Sequence, residues 1–228
     1  PGKGSFYPEY FPDEYSKPIT DKTNYKQYSK SLEINNVNTI DCNKWFLSMK
    51  DTCNCMLYPK YGIHWSYYGM VKAADSLIKY IQWKRNIRMP QIEILYTEKS
   101  TRIQPNDYDI ADGLNLLFQL NSEPMCYPKI KWVSDKGMIK PKVIVIGDSF
   151  YWSMYNMGIC DNSFSLGGFW YYNNDVYPES HKKNLTVNQI DIDKKIQETD
   201  VFILMVTEAN LSKFSWGFVE KAINAEVK

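Results

Sequence analysis

The 228-residue chain has no run of roughly eighteen apolar residues that could span a bilayer, and no signal-peptide pattern at its start. It also lacks any block of like charge: 27 Lys and Arg are scattered among 26 Asp and Glu, for a formal net charge of +1. That excludes an electrostatic footprint for nucleic acid or for an anionic membrane surface. Histidine is scarce, with two in all. The five cysteines (Cys42, Cys53, Cys55, Cys126, Cys160) lack zinc-site spacing, because Cys53-x-Cys55 has no matching second pair. No metal and no other cofactor is expected. The cysteine spacing is not that of a disulfide scaffold either, and a chain this long can bury a core without one, so disulfide pairing stays open. Because the chain begins at Pro1 rather than Met, a leader or anchor is expected to precede it.

What is abundant is aromatic surface, with 18 Tyr and 7 Trp, amphipathic rings that suit protein interfaces and the apolar faces of sugars alike. The length favours one domain over residues 1–228. Pro8, Pro12 and Pro18 disfavour long elements near the start, and a helix is expected over 23–33. A β-branched run at 37–41 predicts a short strand ending at Asp41, followed by a helix at 43–49. Val71, Ala74, Leu77, Ile78 and Ile81 recur at helical spacing within 71–83. A strand is expected at 91–96 and a helix, interrupted by Gly113, at 107–120. Residues 142–146 read as a strand buried on both faces, 166–177 as an aromatic, Asn-rich loop or edge strand, 190–198 as a helix, 201–206 as a buried strand and 216–225 as a final helix. Alternating strands and helices point to an α/β fold with a doubly wound sheet.

The candidate chemistry starts where the 142–146 strand runs into Gly147-Asp148-Ser149-Phe150. A serine hydroxyl is a poor nucleophile unless it is exposed at a sheet edge, beside a base and near N–H groups that can hold an oxyanion. A strand, a tight turn and a helix start provide that setting. Gly-Asp-Ser is also common in ordinary capped turns, and the buried strand before it is what raises the catalytic reading. Asp148 is expected to brace the elbow through backbone N–H groups. Of the two histidines, His181 lies in a polar stretch, whereas His64 sits in a Gly- and aromatic-rich loop before a helix. His64 is the candidate base.

Gly62-Ile63-His64-Trp65-Ser66-Tyr67-Tyr68-Gly69 resembles the Asp-x-His-Trp-x-x-x-Gly motif of the alginate O-acetyltransferase and DHHW-type SGNH proteins, in which the histidine motif precedes Gly-Asp-Ser-Phe. Pro1-Gly2-Lys3 with Tyr7-Pro8-Glu9-Tyr10-Phe11-Pro12, the Asp-rich stretch 107–115, and the strand 200–208 ending in Glu208 are similar to further segments of that family. The resemblance spans nearly the whole chain. It implies an SGNH-hydrolase-like three-layer fold, with a mostly parallel central sheet and helices on both faces. It further implies O-acetyl transfer to a polysaccharide acceptor, a membrane-bound acyltransferase partner supplying acetyl groups, and a periplasmic, cell-surface or secreted location. An esterase with the same residues is the alternative.

One position departs from the motif. The acid that orients the histidine falls at Gly62, which has no side chain. Glu208 and Asp41, each at the end of an expected strand, are the first candidates to replace it. A Ser–His dyad held by a backbone carbonyl, or a glycan-binding module without catalysis, are the other outcomes. The Ser149 N–H, with a side-chain amide from Asn173 or Asn174, is the expected oxyanion hole. Trp65, Tyr67, Tyr68, Trp170 and Tyr171, with Phe169 and Tyr172, could stack against sugar rings or pack internally.

Overall fold

The computed structural model describes residues 1–15, 22–118, 120–165 and 168–226. Its helices are α1 (Lys3–Phe6), α2 (Asn24–Ile34), α3 (Cys42–Met49), α4 (Tyr67–Arg85), α5 (Asp109–Gly113), α6 (Tyr151–Asn156), α7 (Ile159–Ser163), α8 (Ser180–Lys183), α9 (Ile192–Glu198) and α10 (Phe218–Glu226). Its strands are β1 (Gln91–Ser100), β2 (Met125–Val133), β3 (Val143–Gly147), β4 (Gly168–Tyr171), β5 (Asp175–Tyr177) and β6 (Val201–Met205). The chain divides into two compact units, one of residues 1–77 and 94–131, the other of 78–93 and 132–228.

In the first unit, Phe6, Phe46, Tyr58, Trp65 and Met70 are buried. Thr23 caps α2 by accepting from the Lys26 N–H, and Asp41 caps α3 by accepting from the Lys44 N–H at 2.9 Å. The expected strand at 37–41 does not form: the segment carries no regular secondary structure, Val37 is exposed, and no strand among the described residues pairs with it. The expected helix over 107–120 shortens to α5: Asn115 turns left-handed at φ 49°, and Leu117 and Phe118 are left exposed. Gln119 lies outside the described residues. Strand β2, which pairs with β1, carries Pro128, the residue type that argues against a strand in sequence. Cys55 and Cys126 form a disulfide across 71 residues of sequence.

The second unit holds a four-stranded sheet in the order β5-β4-β3-β6, with β3 parallel to β4 and β6 and β4 antiparallel to β5. Every residue of β3 is buried. Side chains alternate between faces. Ile144, Ile146, Trp170 and Val176 pack with Phe218 of α10, whereas Phe169, one residue from Trp170, meets Tyr151 of α6 with ring centroids 4.8 Å apart. The Asp200 carboxylate accepts from the Lys142 N–H at 2.8 Å and pins the start of β6 to that of β3. The aromatic stretch is the β4–β5 hairpin, with Leu166 and Gly167 outside the described residues. No helix among the described residues is long and apolar enough to cross a membrane.

The disulfide closes a long loop in the unfolded chain, so replacing both Cys55 and Cys126 by Ala should lower stability by about 2–4 kcal/mol. Urea denaturation checks this. The wild-type midpoint should fall on reduction and that of the double variant should not move.

Candidate active site

The histidine motif decomposes into separate physical tasks. Trp65 is 5% exposed and fills the core of the first unit. Ser66 starts α4: its Oγ accepts from the Gly69 N–H at 3.0 Å and donates to the Met56 carbonyl at 2.6 Å. A Cβ on Gly69 would lie 2.8 Å from the Leu57 carbonyl oxygen, so only glycine fits there. His64 is left partly exposed, ahead of the helix. Its Nδ1 lies 2.8 Å from Asp109 Oδ2, while Asp109 Oδ1 accepts from the Ile63 N–H at 2.8 Å. An ionised carboxylate only accepts, so Nδ1 carries the proton and Nε2 is the basic nitrogen of the neutral ring.

Gly62 explains how Asp109 gets there. A Cβ at position 62 would sit 2.8 Å from Pro59 Cγ and 3.0 Å from both the Asn106 oxygen and the Asp107 carbonyl carbon. Without a side chain at 62, the backbone of 106–107 occupies that space. The Tyr61 carbonyl then accepts from the Ile110 and Ala111 N–H groups at the start of α5. Lys3 Nζ donates to the carbonyls of Lys60 and Gly62 and holds the loop from its other side. The acid missing from its place two residues before the histidine is supplied by Asp109.

In the second unit, the elbow follows β3 directly. Gly147 keeps strand geometry, and its lack of a side chain serves close approach rather than conformational freedom: a Cβ would lie 3.2 Å from the Met205 carbonyl oxygen of β6. Asp148 is fully buried. Its Oδ1 accepts from the Phe150 N–H, and its Oδ2 from the Thr207 N–H and hydroxyl at 2.8 Å each and from Asn210 Nδ2 at 3.0 Å. These bonds give both oxygens of the buried carboxyl group a donor and fasten the elbow to the chain leaving β6. Across 143–150 only Ser149 is partly exposed, and α6 follows it at Tyr151.

The structure is similar to the solved O-acetyltransferase domain of Pseudomonas putida AlgJ, with a TM-score of 0.55 and 17% identity, covering 99% of this chain and 80% of that one. The chain has an AlgJ-like fold. No family model and no curated protein sequence matches it.

Several candidate residues hold other positions. Neither Asp41 nor Glu208 is the acid on His64 Nδ1, since Asp109 occupies that role. Both Asp41 oxygens are engaged, Oδ1 as the α3 cap and Oδ2 by the Tyr25 hydroxyl at 2.8 Å. Glu208 opens the 3-10 segment Glu208–Gly217 beyond β6. Trp65 and Trp170, 5% and 2% exposed, are core residues and offer no stacking face, and Phe169 is likewise buried. Tyr67 packs near Tyr127, and Tyr68 lies under Lys72 Nζ at 5.4 Å. Tyr171 stays half-buried against Trp152 and Tyr172. The Asn173 amide donates to the Trp216 carbonyl at 3.0 Å and that of Asn174 to Asp175 at 2.9 Å. The contacts of Asp109 with His64 and of Thr207 and Asn210 with Asp148 are not legible in the sequence. The Asp-rich stretch 107–115 was the signal for Asp109, but spacing alone does not say which of its carboxylates faces the histidine loop. Among the described residues, no group of three or more His, Cys, Asp or Glu could hold a metal ion.

Asp107, two residues before Asp109, is 2% exposed, and neither of its oxygens makes a well-formed hydrogen bond. Burial raises its pKa to about 6, against smaller opposing effects from the nearby Tyr127 hydroxyl and Tyr67 N–H. The folded state thus holds this proton more tightly than the unfolded chain does. Stability should fall as pH rises from about 4 to about 6, and the full cost, about 2–3 kcal/mol, should be present above that. Asp107→Asn should be the more stable protein at pH 7–8 and should lose this part of the pH dependence. Thermal unfolding between pH 4 and 8 checks both.

Proposed function

We propose that the chain is a serine-dependent O-acetyltransferase acting on a cell-envelope or secreted polysaccharide through an acyl-enzyme on Ser149. The observation that carries this reading is the His64–Asp109 pair, which puts a properly oriented imidazole in a motif whose usual acid is missing. The AlgJ-like fold supports it, as does the half-exposed serine on a braced elbow. The domain is of SGNH type and comprises residues 1–228. The contacts of α6 and α10 with opposite faces of the sheet favour a three-layer arrangement.

Ser149 Oγ attacks the acetyl carbonyl of the donor while His64 Nε2 takes the hydroxyl proton. Asp109 stabilises the imidazolium, which then protonates the leaving group as the donor's ester bond breaks. An acceptor hydroxyl next attacks the acetyl-serine, gives its proton to His64, and leaves as the acetylated sugar. Ser149 recovers its proton from the imidazolium. Backbone N–H groups at the elbow, that of Ser149 first, hold the oxyanion in both halves. A membrane-bound acyltransferase is the partner expected to supply acetyl groups to an exported protein. Water in place of the sugar would make the same site an esterase, whereas the intact His64–Asp109 pair speaks against a glycan-binding module without catalysis.

Incubating the protein with an activated acetyl ester, with and without oligosaccharide, separates the outcomes by mass spectrometry. Transfer predicts acetylated sugar and an acetyl adduct on Ser149, both absent in Ser149→Ala. Acetate release alone, unaffected by oligosaccharide, would make it an esterase. No adduct and no turnover in the wild type would overturn the enzymatic reading.

A further inference from the structure

The strands flanking β3 each release a segment at their carboxyl ends, the edge where Ser149 also lies, and both segments are strained. After β4, Tyr172 and Asn173 have φ of 51° and 52°; near the end of the segment after β6, Ser215, Trp216 and Gly217 have φ of 62°, 47° and 78°. Turns that need only left-handed backbone use Gly or Asn, because a large side chain there costs free energy. Asn173 and Gly217 fit that rule, while Tyr172 and Trp216 break it. Bulky residues held in this region collect at ligand clamps, where surrounding structure keeps them in place.

The two strained segments are joined. Asn173 Nδ2 donates to the Trp216 carbonyl at 3.0 Å, and the rings of Tyr172 and Trp216 stand 5.3 Å apart at an interplanar angle of 69°. Asn173 Oδ1 is buried without a partner. Tyr172 and Trp216 are both partly exposed residues, although Trp216 also packs against the core beneath it. Their distance from the elbow is short: the Tyr172 N–H donates to the Gly147 carbonyl at 2.9 Å, two residues before Ser149. The second segment is tied to the same elbow where Thr207 and Asn210 bond Asp148. Ligands of parallel sheets bind at this carboxyl edge, between the segments leaving neighbouring strands.

We infer that Tyr172 and Trp216 form the stacking subsite for the acceptor, a pyranose ring of an oligosaccharide whose apolar face lies against the ring pair beside Ser149. The inference rests on Ser149 being the acylated nucleophile. An angled pair of rings offers one face to stack on and one edge to enclose, and the Trp N–H can bond a sugar hydroxyl. Strain in both backbones presets the rings, so that less ordering is left to pay on binding. The subsite acts on the acceptor half-reaction alone.

The test uses Tyr172→Asn and Trp216→Asn, which delete a ring while keeping a residue tolerant of left-handed backbone, with Tyr172→Phe as the variant that keeps the ring. Binding is titrated in the Ser149→Ala background by saturation-transfer NMR against β-1,4-linked hexaoses of glucose, N-acetylglucosamine and glucuronate. At least one should bind saturably, each Asn variant should weaken it about tenfold, and Tyr172→Phe should bind within about twofold of the parent. With Ser149 intact, the rate of serine acylation by a small activated acetyl ester should stay within about twofold in all variants. Absence of binding by all three hexaoses, or equal affinity in the Asn variants, would overturn the subsite. Loss of acylation in the otherwise unaltered protein would instead remove the acetyltransferase reading, leaving the binding result to stand by itself.

Discussion

Asp109 places one oxygen on a backbone N–H of the histidine loop and the other on the imidazole of His64, and the proposed chemistry depends on those two bonds. The first bond fixes where the carboxylate sits relative to the loop, and the second fixes which ring nitrogen holds the proton. A side chain at position 62 would crowd the backbone leading to Asp109, which lies 3.0 Å from where its Cβ would stand, so glycine favours both bonds. The glycine that removes the usual acid is thus also the residue that admits its replacement. A loss at one position and a gain at another belong to a single packing arrangement.

A comparable economy governs the second unit. Asp148 is fully buried, and a carboxyl group there is costly unless both its oxygens find donors. The N–H of Phe150, the N–H and hydroxyl of Thr207 and the amide of Asn210 meet that requirement. In doing so they tie the elbow to the segment that ends at Trp216. Gly147 contributes by letting β6 approach. Ser149 is partly exposed between the buried Asp148 and Phe150, on an elbow held by these bonds, and the proposed role as nucleophile calls for rigid support of that kind.

The elbow and the core of the parallel sheet are legible in the sequence because their signals are local: an unbroken Val/Ile run, then Gly-Asp-Ser-Phe. The histidine motif is legible for the same reason, since its Trp, Ser and Gly serve the fold within eight residues. Asp109 is not, because its role depends on a chain segment 45 residues away folding into the gap at Gly62. Trp65 and Trp170 show the converse error: rings that suit a sugar platform by composition are drawn into the core by the alternation of the strand and by the turn before α4. The run at 37–41 has strand composition and no strand partner among the described residues, so propensity alone does not make it a strand. The strain at Tyr172 and Trp216 leaves no mark in composition at all, since backbone dihedrals of single residues are set by tertiary context.

Replacing Asp109 by Asn and measuring the rate at which a serine-directed fluorophosphonate phosphonylates Ser149, with loss of fluoride, tests the orienting carboxylate most directly. An amide of the same shape keeps the packing but lets the imidazole adopt the wrong tautomer, so the rate should fall by about two to four orders of magnitude while the thermal unfolding temperature stays near that of the wild type. A folded Asp109→Asn protein that labels Ser149 as fast as the wild type would contradict the account.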